Sequence, residues 1–213
     1  MNHIVLAGDS IFDNVAYVEQ NQAVIELLTQ KIHGEINATL LAVDGAITEE
    51  VHDQLDKLPT DSTHLFISSG GNDALESAHL LAEPVTSVYE AMGVFSEVIG
   101  EFQAQYKNML DDAISRVENV IVCTVYDSIL GYDREPLTAL KLFNEVILRE
   151  AFSKGLPVID LRLICNDPAD YSSVSPIEPS EQGGGKISDA ILQVVAQDDF
   201  DQIGNRKCVY LTK

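Results

Sequence analysis

Four short segments carry residue types that can act on a carbonyl carbon. They are GDSIFDN (8–14), VDGAIT (43–48), SSGGNDALES (68–77) and SPIEPSEQGGGKIS (175–188). The first offers the hydroxyl of Ser10 two residues after Gly8, whose missing side chain permits an unusual backbone. The second offers Gly45 as a backbone approach point. The third offers Gly70 and Gly71, then the side-chain amide of Asn72. A hydroxyl, bare backbone and an amide together are the inventory of an acyl-transfer site, which needs a nucleophile and donors for a developing oxyanion. Taken singly, GDS is a common tripeptide and GGND an ordinary turn; the joint placement is what makes them specific. The fourth segment holds Glu178 between Pro176 and Pro179, just before Ser180, a helix N-cap. A carboxylate there is either a surface turn or a group that takes up a proton and returns it.

Something must bring these segments together. Five runs read as buried strands: 3–8, 36–43, 64–70, 119–126 and 156–161. Each is continuous in apolar residues, as parallel strands covered on both faces are. Helical patterns lie between them, at 17–32, 47–58, 136–154 and 181–197. Between 84 and 115, Val85, Val88, Met92, Phe95, Ile99, Phe102, Tyr106, Met109 and Ala113 alternate gaps of three and four. That is one face of a long helix or of two consecutive ones. Pro136 suits a first helical position and Gly155 a stop. Strands alternating with helices predict a parallel sheet in a three-layer α/β/α sandwich, a single domain over residues 1–213. Ligands of such sheets bind at the carboxyl ends of the strands, where the first three segments fall. The tail, 198–213, is compatible with a short edge strand. Tyr126 and Asp127 end the fourth strand on the same side of the sheet.

The chain resembles the GDSL, or SGNH, hydrolase family over nearly its full length. The resemblance rests on GDS near the N-terminus, Gly45 after the second strand, GGND after the third, and a proline-containing loop before the last helix. It implies a flavodoxin-like five-stranded sheet of order 2-1-3-4-5 and a serine hydrolase without a cofactor. It also implies Ser10 as nucleophile, with an oxyanion hole made by the N–H of Ser10, Gly45 and the Asn72 side chain. Asp9 and Asp73 are expected to support loop backbone. An esterase acting on a small or short-chain acyl ester is the activity the resemblance suggests.

The sequence departs from the family at the base. The family's last loop carries Asp-x-x-His-Pro; aligned through Pro179, this chain has Ser175 at the aspartate position and Glu178 at the histidine position. Three readings follow. Glu178 is the base, with Ser175 hydrogen-bonded to it; its ordinary pKa of about 4.3, against about 6.5 for histidine, would then keep activity below pH 6. Burial would raise that pKa and the helix N-terminus behind it would lower it. Alternatively His79, six residues beyond Asp73, reaches Ser10. In the third reading, hydrolysis is lost and the pocket binds a small carboxylate or ester.

Composition limits the partners. The 213 residues carry 34 Asp and Glu against 13 Lys and Arg, a net charge of −21. Such a chain repels nucleic-acid backbones and anionic membranes, so neither is an expected partner. No run of eighteen apolar residues suggests a membrane span. The N-terminal MNHIVLAGDS lacks a basic region and a long apolar run, so the expected location is cytoplasmic. The three cysteines, Cys123, Cys165 and Cys208, have no metal spacing and read as core thiols and a tail residue. No metal is expected.

Overall fold

The computed structural model describes residues 2–32, 34, 36–128, 131, 133–196 and the backbone of 209–210. Five parallel strands form the sheet: β1 (Asn2–Gly8), β2 (Ile36–Leu40), β3 (His64–Ser68), β4 (Asn119–Cys123) and β5 (Val158–Ile159). Their order is β2-β1-β3-β4-β5, with a two-residue β6 (Val209–Tyr210) parallel to β5 at the edge. This is the predicted order, and the tail adds the edge strand; Cys208 lies outside the described residues.

The continuous apolar runs have a simple cause. Side chains alternate across a strand, and here both faces are covered. Ile4, Leu6, Phe66, Ile121 and Ile159 point into one core, shared with α1 (Val24–Lys31) and α7 (Glu181–Val195). Val5, Ala7, Leu65, Ile67, Val120, Val122 and Val158 point into the other. There they meet α2 (Val51–Leu55), α4 (Val88–Arg116) and α5 (Arg134–Ser153).

The helices differ from expectation at their ends. The pattern at 17–32 splits into a 3-10 turn at Val15–Tyr17 and the shorter α1. Buried Asn14 explains the late start: its Oδ1 accepts the Val24 N–H at 2.9 Å, which fixes where the helix begins. The segment 47–58 is helical only from Thr48 to Leu55, as a 3-10 turn followed by α2. The long pattern from 84 is one helix, α4, capped by Ser87, whose Oγ accepts the Glu90 N–H. Only its second half is buried, at Phe102, Tyr106, Met109, Leu110 and Ala113; Val88, Tyr89 and Met92 are exposed. Pro136 sits at the third position of α5, not the first, still within the turn whose N–H groups have no helical partner. Gly155, at φ +73°, ends the same helix.

Four strands, β2 to β5, are shorter than their apolar runs. After Cys123 the chain leaves β4, and the buried side chain of Asn144 takes over its backbone pairing. Asn144 Oδ1 accepts the Val125 N–H at 2.9 Å and its Nδ2 donates to the Val125 carbonyl at 2.8 Å. Unpredicted short helices follow β3 and β5: α3 (Gly71–Glu76), a 3-10 turn at Ser77–Ala82, and α6 (Leu161–Ile164). No helix among the described residues is long and apolar enough to cross a membrane.

Candidate active site

Ser10 lies just past the carboxyl end of β1, and its mounting starts at Gly8. Gly8 has φ +118°, and a Cβ there would sit 1.7 Å from the Ser68 carbonyl oxygen. Only glycine lets β1 turn away so close to β3. The Gln54 side chain clamps this turn at both ends, accepting the Gly8 N–H at 2.6 Å and donating to the Gly8 carbonyl at 2.8 Å. Asp9, next to the nucleophile, accepts from the Ile11 N–H at 3.2 Å and the Ser68 hydroxyl at 3.0 Å. It supports loop backbone, as expected. Burial pushes its carboxyl up to about 7, against those two hydrogen bonds, with the Asp73 charge adding to the rise.

Glu178 is 3% exposed and Ser10 8% exposed. The Ser10 hydroxyl donates to Glu178 Oε1 at 2.9 Å, across 168 residues of sequence. Glu178 Oε2 is buried and has no hydrogen-bond partner among the described residues. Burial raises the Glu178 carboxyl to about 8; the Ser10 hydrogen bond opposes this, and the nearby Asp9 and Asp44 charges reinforce it. Desolvation is the largest of these influences. The N-terminus of α7 is occupied elsewhere: Ser180 Oγ accepts the Gly183 N–H.

The loop that carries Glu178 is held on every side. The Glu178 N–H donates to the Ser175 carbonyl at 3.1 Å, and its own carbonyl accepts the Ser172 N–H at 2.8 Å. Tyr126 donates its buried hydroxyl to the Ile177 carbonyl at 2.5 Å. Asn14 donates its amide to the Pro179 carbonyl at 3.0 Å. Ser175 thus meets Glu178 through backbone, and the predicted side-chain pairing is corrected: the free carboxylate oxygen has no partner among the described residues and Ser175 is half-exposed. Asn14 and Tyr126 do the orienting instead. Tyr126 is itself buried in the core. Two of the three glycines after Glu178 are a packing device. A Cβ on Gly183 would lie 2.2 Å from the Asp170 carbonyl oxygen, and one on Gly184 would press on Leu27 and Val24.

The second and third segments are tied together by Asp73. Its carboxylate accepts the Thr48 N–H at 3.1 Å and the Thr48 hydroxyl at 3.0 Å. Asn72 donates through Nδ2 to the Ala46 carbonyl at 2.9 Å, one residue past Gly45. That bond fixes which way the amide faces and leaves its second N–H for another acceptor. Gly45, at φ +82°, is exposed.

These groups open on a cleft of about 140 Å³. Asp9, Ser10, Asn72, Tyr126 and Glu178 line it; Gly45, Ser175 and His79 are not among its lining residues. His79 is exposed, and its Nδ1 is 2.7 Å from the Glu76 carbonyl in its own turn. The structure does not bring it to Ser10. On the other side of Glu178, the Tyr17 hydroxyl donates to Asp44 at 2.9 Å and the Asp44 N–H donates to Asp13 at 3.1 Å. This hydrogen bond, with the surrounding carboxylates, pushes the Tyr17 hydroxyl up to about 12. Among the described residues, no group of three or more His, Cys, Asp or Glu could hold a metal ion.

The comparisons with known proteins agree with this arrangement at the level of fold and family. Among solved structures, the lipase/acylhydrolase from Enterococcus faecalis is 21% identical and superposes with a TM-score of 0.66, covering 92% of this chain and 95% of that one. An acetyl xylan esterase from Geobacillus stearothermophilus is 15% identical, with a TM-score of 0.65 over 90% of this chain and 93% of that one. A phospholipase A1 from Streptomyces albidoflavus is 17% identical, with a TM-score of 0.63 over 92% and 98%. At these identities the likeness is one of fold. Comparison with curated protein sequences returns no match. The family described as GDSL-like lipase/acylhydrolase matches residues 6–184, from within β1 to the glycines of α7. The chain belongs to the GDSL-like lipase/acylhydrolase family.

Proposed function

We propose that the protein hydrolyses carboxylic esters through an acyl-Ser10 intermediate, with Glu178 as the base. The observation that carries this reading is the 2.9 Å hydrogen bond from the Ser10 hydroxyl to Glu178 Oε1. A carboxylate on the serine proton can do the two things the reaction asks of a base. Ser10 Oγ attacks the ester carbonyl while its proton passes to the Glu178 carboxylate. The carbonyl oxygen becomes an oxyanion, received by the N–H groups of Ser10 and Gly45 and by the Asn72 amide. As the tetrahedral intermediate collapses, Glu178 returns the proton to the departing alkoxide, which leaves as an alcohol. Water then attacks the acyl-Ser10 carbonyl, giving its proton to Glu178, and the second collapse returns that proton to Ser10 Oγ.

The expectation of a small or short-chain acyl group meets a cleft whose lining is mostly apolar. The second reading, a pocket that binds a carboxylate or ester without turnover, is favoured by one feature. The base is largely protonated at neutral pH when its pKa lies near 8.

A fluorophosphonate probe separates the two. It is expected to label the wild-type protein at pH 8.5 and not the Ser10→Ala variant, read by intact-protein mass. Glu178→Gln is expected to lower labelling and ester turnover by about a thousandfold, the usual scale for loss of a general base. No labelling of wild type at any pH from about 6 to 9.5, a span that covers both protonation states of Glu178, supports the binding reading.

A further inference from the structure

We propose that the outer wall formed by α3, the 3-10 turn after it and the first half of α4 is a docking surface for a basic amphipathic helix of a partner protein. The proposal goes beyond the hydrolase reading and does not rest on it. One apolar stripe runs the length of α4. Val88, Met92, Phe95 and Ile99 lead by steps of three and four into Phe102, Tyr106, Met109 and Ala113. The second set is buried in the core. At the start of the stripe Val88 is 80% exposed and Met92 53%, with Tyr89 next to Val88 at 89%. The face that α4 turns to its own core thus continues past that core with nothing on it.

The neighbouring elements extend the same surface. Leu75, Leu81 and Phe95 line one cleft, which places α3, the 3-10 turn and the first half of α4 side by side. Leu75, Leu81 and Val85 are exposed, as is every residue from Leu81 to Glu90. Large apolar side chains grouped on a surface in this way mark an interaction site, whereas single ones do not.

Charge selects the occupant. No Lys or Arg occurs between Lys57 and Lys107, while Glu76, Glu83, Glu90, Glu97 and Glu101 are all exposed on this wall. None of the five is in an ion pair among the described residues; the Glu90 carboxylate accepts from Thr86. The buried half of the same helix is different, because its acids are answered from within the chain: Asp111 by Lys154, and Asp112 by Arg116 at 2.7 Å. A two-fold interface sets a surface against itself. Here that would bring glutamates to glutamates with no cation on the wall to answer them, so a second copy is a poor occupant. An anionic membrane is repelled for the same reason. A helix with leucine-like side chains on one face and lysine or arginine beside them meets both the stripe and the acids.

The probe is a labelled helical peptide of about 18 residues, with leucines along one face and lysines on the rest, followed by fluorescence anisotropy. It is expected to bind the wild-type protein, and a leucine–glutamate peptide of the same pattern is expected not to; the reverse would overturn the proposal. A chain of net charge −21 attracts any polycation, so the variants locate the contact. Val88→Ser, Tyr89→Ser and Met92→Ser together change no charge and fall on exposed positions. They are expected to weaken binding at least about tenfold, the scale of a lost aromatic anchor. Glu83→Gln with Glu97→Gln is expected to weaken it at least about fourfold. Glu19→Gln with Glu118→Gln removes the same charge elsewhere and is expected to change it less than about twofold. An unchanged affinity in the folded triple variant, or equal losses from the two glutamate pairs, would mean attraction by overall charge alone and overturn the proposal. Sedimentation and phosphatidylcholine vesicles test the other occupants. Neither self-association nor vesicle binding is expected to depend on Val88, Tyr89 and Met92; if the triple variant abolishes either, the wall belongs to a second copy or to lipid, and the proposal falls.

Discussion

Glu178 shows how much one residue's surroundings change what its type implies. An ordinary glutamate would be ionised throughout the physiological range, and a hydrolase using it would stay active in mild acid. Here desolvation lifts the carboxyl to about 8, and Asp9 and Asp44 push the same way. The competent base is the ionised form, and with a raised pKa that form appears only as pH rises through about 8. The expected pH profile therefore keeps the shape of an ordinary glutamate's but is displaced upward, with its bend near pH 8. At limiting substrate, kcat/KM should climb about tenfold per pH unit up to about pH 8 and then level. A stopped-time assay from pH 5.5 to 9.5 checks this; a plateau reaching down to pH 6 would mean that the carboxyl is not desolvated in solution. That Ser10, Asn72 and Glu178 would come to one cleft was legible in the sequence, because each lies within two residues of a glycine or proline at a strand or helix end. The direction of the Glu178 shift was not legible. It depends on what covers the carboxylate, and Tyr126 and Asn14 approach its loop from 51 and 165 residues away.

At the scale of elements, the site is a set of turns held in place by side chains from other elements. Gln54 of α2 grips the end of β1, Asn144 of α5 grips the chain after β4, and Asp73 of α3 grips the loop after β2. These clamps account for the boundaries that periodicity misplaced. The apolar run of β4 continues to Tyr126, but Asn144 pairs with Val125 and ends the ladder. The apolar pattern of the first helix begins at Tyr17, but Asn14 starts α1 at Val24. Polar residues that bond backbone at long range leave no periodic signal. The five strands were legible, because burial on both faces writes itself as unbroken apolar runs; their order came from the family resemblance. Tyr126→Phe is the test of a clamp. Losing the bond to Ile177 should lower kcat about tenfold, the cost of one lost buried hydrogen bond, while KM moves less than about twofold. An unchanged kcat with a raised KM would make Tyr126 a wall of the cleft and nothing more.

The whole molecule carries a net charge of −21, and much of that sign surrounds the site at Asp9, Asp13, Asp44 and Asp73. Charge excluded nucleic acids from consideration at the level of sequence, but its bearing on the reaction needed the site's geometry. Ester hydrolysis turns an uncharged reactant into an anion. On the ester-hydrolase reading, that anion would be released among carboxylates and beside a base that must itself become negative for the next cycle. The cleft that takes the ester would thus hold the acid poorly. Octanoate is expected to inhibit at concentrations about tenfold or more above those at which methyl octanoate binds the Ser10→Ala protein. Its inhibition should strengthen when salt of about 0.5 M screens the field. Inhibition constants at low and high salt measure this directly, and an acid that inhibits as strongly as the ester binds would refute it. The acidity around Ser10 then acts as a one-way valve: the substrate enters on its hydrocarbon, and the product is expelled on its charge.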